Sequence, residues 1–505
     1  MELLLSLCLL SLLVSIAATG SNDWVNHGGN MLNRRHADKE TKISPGTASR
    51  LRLKWKFNAG RDISATPAIS DGTLYLFIYF FIKMEPFISP AGTVSRSTPV
   101  IADDMLIFGL GGPAYVVAVK RSDGRLVWLT QLDKHYKALV TMSGTYYKGH
   151  FYVGTSSNEE TVSFEQCCIF RGSFVKLSGR TGKILWRTYM LPDNFGRRGV
   201  YAGAAVWGSS PSIDIRRNHI YIATGNLYSA PKRVRECQER QNNRTDTATN
   251  DECVEPENHS DSILALDLDS GKIKWFNQLG GYDVWFFECN NVSNPKCPPG
   301  PNLGADFAAA PMMLTTYVNG IKRDLAVAVQ KSGFAWALDR DNGNLIWSTV
   351  RYPQSGPGGL TGGGTWGAAT DEKRVYTNIA NSDRKNFTLQ PSTKVTTGGG
   401  WVGMDSKNGS ILWSTADPVN GTANGPVTVA NGVLFAGSTF RQGPIYAMNA
   451  NTGKILWSYN TGATIYGGAS VSNGCIYFGH GYKVSVGLND PGFTAGKSLF
   501  AFCVS

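Results

Sequence analysis

Several stretches of the sequence gather side chains whose types could do chemistry together. VWGSSPSIDIRRNHIYIATGN offers Trp207 and Asn226. An indole face makes a floor for a planar ring, and an amide oxygen is a hard ligand suited to a calcium-like cation. VGTSSNEE ends on Glu159 and Glu160, carboxylates of the kind that complete an oxygen-rich cation site, and the adjacent cysteines Cys167 and Cys168 follow closely. PNLGADFAAAPMML carries Asp306 and YDVWFF carries Asp283, each a candidate general base. Lys331 in VQKSGFAW is a cation able to stabilise negative charge that develops on a reacting oxygen. Arg96 in VSRSTP, Ser143 in VTMSGTY and Trp366 in TGGGTWGAATD complete the set.

The elements that must position these groups are written in a repeat. ALDLDSGKIKW, ending at Trp275, recurs as AVKRSDGRLVW at Trp128, VKLSGRTGKILW at Trp186, ALDRDNGNLIW at Trp347, GMDSKNGSILW at Trp413 and AMNANTGKILW at Trp457. Each copy alternates apolar and polar residues, turns at an Asp/Ser/Asn/Thr-Gly pair and ends on an aromatic ring, which is a β-hairpin. A second pair of strands lies upstream of most copies, as in STPVIADDMLIFG and GPVTVANGVLFAG, so the unit has four strands. One four-stranded sheet cannot bury its tryptophan alone, and the period therefore predicts sheets that cover one another in a ring, an all-β propeller. A β-solenoid would use shorter coils and no closing aromatic. The count of motifs, with the Trp55 strand closing against the C-terminal strand, predicts eight blades. One of them is incomplete: after Leu74-Tyr75-Leu76 the chain runs FIYFFIKMEPFISPAG, and residues 77–92 hold neither a turn glycine nor a closing tryptophan where a hairpin belongs.

A propeller of this size absorbs residues 21–505 as one domain. Residues 1–20 read as a cleaved signal peptide, an apolar run from Leu3 to Ile16 followed by small residues and shorter than the ~20 residues a bilayer needs. Acceptor sequons at Asn243, Asn258, Asn291, Asn386, Asn408 and Asn420 agree with secretion. So do the cysteines that remain after Cys8 leaves with the signal: Cys237 with Cys253 and Cys289 with Cys297 are expected to staple polar insertions, and Cys475 with Cys503 to bridge the closing blade. The absence of CxxC disfavours a zinc ribbon and haem attachment. The net charge of +11 does not point to nucleic acid, because the tryptophans are committed to the repeat. It suits adhesion to an acidic polysaccharide surface.

The repeat together with these motifs resembles quinoprotein dehydrogenases, and especially polyvinyl-alcohol-dehydrogenase-like proteins, over nearly the whole chain. The resemblance implies an eight-bladed propeller that oxidises alcohols with pyrroloquinoline quinone and calcium. It implies Trp207 as the ring on which the quinone stacks, with Asn226, a glutamate and Asp306 at the metal. Of the two glutamates, Glu159 is preferred over Glu160. Asp306 is the expected base, with Asp283 as the alternative, and Lys331 holds the quinone's carbonyl oxygen. Arg96 and Ser143 contact the cofactor, and Trp366 lines the same axis. The resemblance also implies a Cys167–Cys168 disulfide beside the quinone, while bridges from either cysteine to others stay open. An alcohol substrate and an external electron acceptor are the implied partners. The alternative is a non-catalytic extracellular propeller that serves as a binding or scaffold module.

Overall fold

The computed structural model describes residues 23–76, 95–163, 165–242, 253, 255–290, 293–294, 297, 303–349, 362–488 and 490–504. The expected signal peptide, the aberrant segment 77–92 and the sequons at Asn243 and Asn291 lie outside the described residues.

Among the described residues the chain is almost wholly β, with one α-helix, Lys232–Asn242. The strands form sheets of four in sequence order. The sheet of the Trp275 motif shows the pattern: Ser212–Asp214, His219–Ala223, Ser262–Asp267 and Ile273–Gln278 pair antiparallel in turn. Six other sheets repeat it, and the last takes its outer strand from the start of the chain, Leu51–Asn58 pairing with Ser498–Val504. The unit expected to be incomplete contributes one described pair, Ala68–Ser70 with Thr73–Tyr75.

The structure explains why glycine and tryptophan travel together. Five of the six motif tryptophans pack on the turn of the next unit's hairpin: Trp128 on Gly182, Trp186 on Gly271, Trp275 on Gly343, Trp347 on Gly409 and Trp413 on Gly453; the sixth, Trp457, meets the Phe502 ring of the closing sheet at 5.1 Å. A Cβ at any of these glycines would come within 2.5 Å of the ring, and all five have φ near +70°, where side chains are strained. Indole N–H groups then reach a carbonyl beyond the gap, Trp128 Nε1 to Gly179 O at 2.8 Å, Trp347 Nε1 to Ser406 O at 3.0 Å and Trp413 Nε1 to Ala450 O at 3.0 Å. Thr130, Thr188 and Thr415, two residues after their tryptophans, donate to the turn glycine's own carbonyl. The repeat is a staple between units.

A second device has no repeat signal. The segment Trp24–Ala37 passes the first strand of each sheet in chain order. Trp24 exchanges two backbone hydrogen bonds with Ile69, Val25 O accepts from Ile101, and Asn26 Nδ2 donates to Thr145 Oγ1. Met31, Leu32, Arg34 and Arg35 carbonyls accept from Ile213, Met313, Thr370 and Val429. The fully buried Arg35 guanidinium donates to Val427 O at 2.7 Å, Thr428 Oγ1 at 2.8 Å and Ala469 O at 3.0 Å, and also to His27 O. Burial lowers its pKa to about 9, which leaves it a cation at neutral pH.

All four disulfides expected from the sequence are present, Cys167–Cys168, Cys237–Cys253, Cys289–Cys297 and Cys475–Cys503. The sequons Asn386, Asn408 and Asn420 are exposed, whereas the Asn258 side chain is buried and accepts the Ser260 N–H, so that sequon is a turn and not a surface acceptor.

Candidate active site

The connections between sheets and the loops at one end of the strands enclose a cavity of about 440 Å³. Arg96, Glu160, Trp207, Tyr228, Asp306, Lys331 and Trp366 line it, each from a different point in the chain.

Asp306 is the centre of its polar contacts. Its Oδ2 accepts from Trp207 Nε1 at 3.0 Å and lies 3.2 Å from Lys331 Nζ, while Asn226 N–H approaches Oδ1 at 3.4 Å. The Lys331 ammonium also stands 5.0 Å from the centre of the Trp207 ring. The local sequence makes this approach feasible. A Cβ on Gly225 would lie 3.1 Å from Asp306 Oδ2, so the glycine of the Thr-Gly-Asn turn after strand His219–Ala223 lets the carboxylate approach without crowding. Asp283 fixes the segment that bears Asp306: its carboxylate accepts the N–H groups of Leu303 at 2.8 Å, Gly304 at 3.1 Å and Ala305 at 2.6 Å. The alternative base is thus a backbone clamp, absent from the cavity lining.

The two glutamates divide. Glu159 is fully buried and accepts from Ile169 N–H, from Phe170 N–H at 2.9 Å and from His135 Nε2 at 3.1 Å. It anchors the turn that follows the vicinal disulfide and does not line the cavity. Glu160, next in a short 3-10 turn, does. The preference for Glu159 is therefore corrected on geometry, because its lone pairs are already committed to structural donors. Burial, reinforced by the Asp306 charge and opposed by Lys331, raises the Glu160 pKa to about 7. Burial would lower the Lys331 ammonium, but Asp306 and Glu160 more than offset it and hold its pKa above the ordinary value.

Asn226 is buried behind this cluster. Its Nδ2 donates to Leu227 O at 2.7 Å and Trp285 O at 2.8 Å, which leaves Oδ1 buried with no hydrogen-bond partner among the described residues. An acceptor without a donor beside carboxylates fits a hard cation.

Trp207 meets the edge of Trp366 at 5.1 Å between ring centres. Trp366, at φ +64°, donates its Nε1 to Tyr466 Oη at 2.9 Å, and its carbonyl faces His27 Nε2 at 2.6 Å. The Arg96 guanidinium lies 4.7 Å from the Trp366 ring and 5.1 Å from that of Tyr482. Ser143 is placed differently from its expectation. Its Oγ accepts Thr98 N–H at 2.7 Å and it borders a small void behind Trp366, whereas Thr141 lines the main cavity. Cys167 and Cys168 are also off the lining, buried with Cys168 Sγ against Tyr228 O. Sequence reasoning did not single out Thr141, Tyr228 or Tyr466. Thr141 and Tyr466 lie in connections and Tyr228 in the short strand Leu227–Ser229, all outside the repeat, where no motif encodes side-chain direction.

Comparison with known proteins follows the same lines. The chain is 29% identical to a polyvinylalcohol dehydrogenase of a Pseudomonas species over 77% of its length, and spans 60% of that relative. It is 21% identical to a quinohemoprotein alcohol dehydrogenase of Comamonas testosteroni, over 89% of this chain and 70% of the relative. The crystal structure of the Comamonas testosteroni quinohemoprotein alcohol dehydrogenase superposes with a TM-score of 0.69 at 18% identity, covering 96% of this chain and 80% of that one. A europium-containing methanol dehydrogenase gives 0.68 at 17% identity, covering 96% and 98%. The fold they share with this chain is the β-propeller. Residues 85–277 and 398–490, more than half of the sequence, match the PQQ_2 family, described as outer membrane protein assembly factor BamB, and the chain belongs to that family.

Proposed function

We propose that this chain is a quinoprotein-type alcohol dehydrogenase, a single eight-bladed propeller over residues 21–505, secreted through its first 20 residues. The observation that carries the reading is the Asp306 cluster: a buried carboxylate held by an indole N–H and an ammonium, beside Glu160 and the unpartnered Asn226 Oδ1. A scaffold module has no need to bury such a group at the wall of a cavity. The seven four-stranded sheets and one further strand pair among the described residues support eight blades.

Pyrroloquinoline quinone would supply a carbonyl centre that accepts hydride from an alcohol carbon, and calcium would supply a hard Lewis acid. Trp207, Arg96 and Lys331 are the residues fit to hold the quinone. Glu160, Asn226 and Asp306 offer the metal three oxygen ligands. Asp306 takes the alcohol's hydroxyl proton at the carboxylate oxygen not engaged by Lys331. Lys331, kept protonated by its carboxylate neighbours, stabilises the negative charge that grows on the oxygen it faces. The reaction would need an external acceptor for its two electrons. Reconstitution of the purified chain with the quinone and calcium, followed by dye-linked oxidation of primary alcohols, tests the reading. Turnover that needs both additions is expected, and a chain that takes up no quinone would be a non-catalytic binding module.

A further inference from the structure

The mouth of the cavity has a different character from its interior. Arg384 and Arg441 both line it, and both are exposed. Each guanidinium is steadied by one backbone carbonyl: Arg384 Nη1 donates to Asn420 O at 2.5 Å and Arg441 Nη2 to Pro491 O at 2.6 Å. Several other arginines are paired with acids, Arg34 with Glu372, Arg121 with Asp71, and Arg216 and Arg217 with Asp324. Arg384 and Arg441 form no ion pair among the described residues. Asp490, a carboxylate on the same lining, turns Oδ1 to the Gly492 N–H at 2.7 Å. Two restrained guanidinium groups with unspent donors at the entrance to a cavity are suited to a planar anion, which each can grip through parallel N–H bonds.

We propose that Arg384 and Arg441 form an anion subsite and that the substrates are alcohols bearing a carboxylate, such as hydroxy acids and uronate-type sugars. The proposal rests on the alcohol-oxidising reading. The carboxylate docks at the mouth and the hydroxyl end reaches inward toward Asp306. The net charge of +11 adds a field that draws such substrates in. Because both side chains are exposed, their attraction is screened by salt.

The test is a binding titration of the full-length chain loaded with quinone and calcium, using 4-hydroxybutanoate and 1-butanol and following tryptophan emission. The hydroxy acid should bind at least about tenfold more tightly, with the ratio falling as salt rises and approaching one in the R384Q/R441Q variant. The R384K/R441K variant, which keeps charge but loses the planar fork, should retain part of the preference and guards against a folding defect. Equal affinities in the unmodified chain, or a preference that survives R384Q/R441Q, would overturn the proposal. So would a loss of quinone affinity in R384Q/R441Q with the substrate ratio unchanged, which would assign the pair to the cofactor's own carboxylates. If the chain takes up no quinone, the dehydrogenase reading falls. The same titration on the cofactor-free chain then decides the subsite by itself.

Discussion

Asp306 has two neighbours that could disguise its role, a lysine that pairs with it and an asparagine at a metal-competent oxygen, so substitutions must separate proton transfer from binding. Asp306→Asn keeps the shape and one oxygen but removes the base, and dye-linked turnover should fall by about 10²–10⁴-fold while quinone affinity changes little. The glutamates separate in the same way. Glu160→Gln should weaken calcium binding at least about tenfold, by calorimetric titration, whereas Glu159→Gln should chiefly lower the melting temperature by loosening the turn at Ile169 and Phe170. Asp261 supplies a pH test. Both its carboxylate oxygens are buried without hydrogen-bond partners among the described residues, and burial, then the charges of Asp283 and Asp306, raise its pKa well above 3.8. A raised acid binds its proton more tightly when folded, so its contribution to stability declines as pH climbs from about 4 to the folded pKa. The stability of Asp261→Asn relative to the unmodified chain should therefore increase with pH across that window, and a difference that is flat in thermal melts would refute the assignment. That Trp207, Asp306 and Lys331 belong together was suggested by the motifs that carry them, and the structure brings the three to one cavity wall. Glu160 was not legible in the sequence, since neighbouring residues of a 3-10 turn point in different directions and identity does not reveal which one faces the cavity.

At the scale of elements, the six-fold repetition of turn glycine and closing tryptophan made the sheet architecture readable. The structure adds that, at five of the copies, the tryptophan meets the turn glycine of the next unit in one contact. Gly343→Ala places a methyl against the Trp275 ring at φ +74°, and a destabilisation of about 1–3 kcal/mol in denaturant melts is expected. Trp275→Ala should cost more, about 3–5 kcal/mol, because a large buried ring is lost. The strap Trp24–Ala37 was illegible for a physical reason. It bonds mainly through backbone groups, each to a different sheet, and such contacts leave no period in the side chains. Arg35 is its one distinctive residue. Arg35→Lys retains the charge but cannot reach Val427, Thr428 and Ala469 together, so it should lower the melting temperature nearly as much as Arg35→Met.

For the molecule as a whole, the Leu51–Asn58 strand closes the ring against Ser498–Val504, and the strap crosses the sheets beneath the cavity, its His27 reaching the Trp366 carbonyl. The unit that begins at Ala68 is where this ring is weakest on sequence grounds, since segment 77–92 carries neither the turn glycine nor the closing tryptophan of a repeat hairpin. Replacing residues 77–92 with a repeat-like hairpin is expected to raise soluble yield and quinone affinity. Unchanged yield and affinity would mean the ring closes without it. The central claim is that a quinone and a cation share the cavity walled by Trp207, Asp306 and Lys331. It is tested most directly by titrating the purified chain with pyrroloquinoline quinone, with and without calcium, while following tryptophan emission in the unmodified chain and in Trp207→Phe. Saturable, calcium-dependent quenching at one quinone per chain, much reduced in Trp207→Phe, is the predicted result; no saturable binding in the presence of calcium would contradict it.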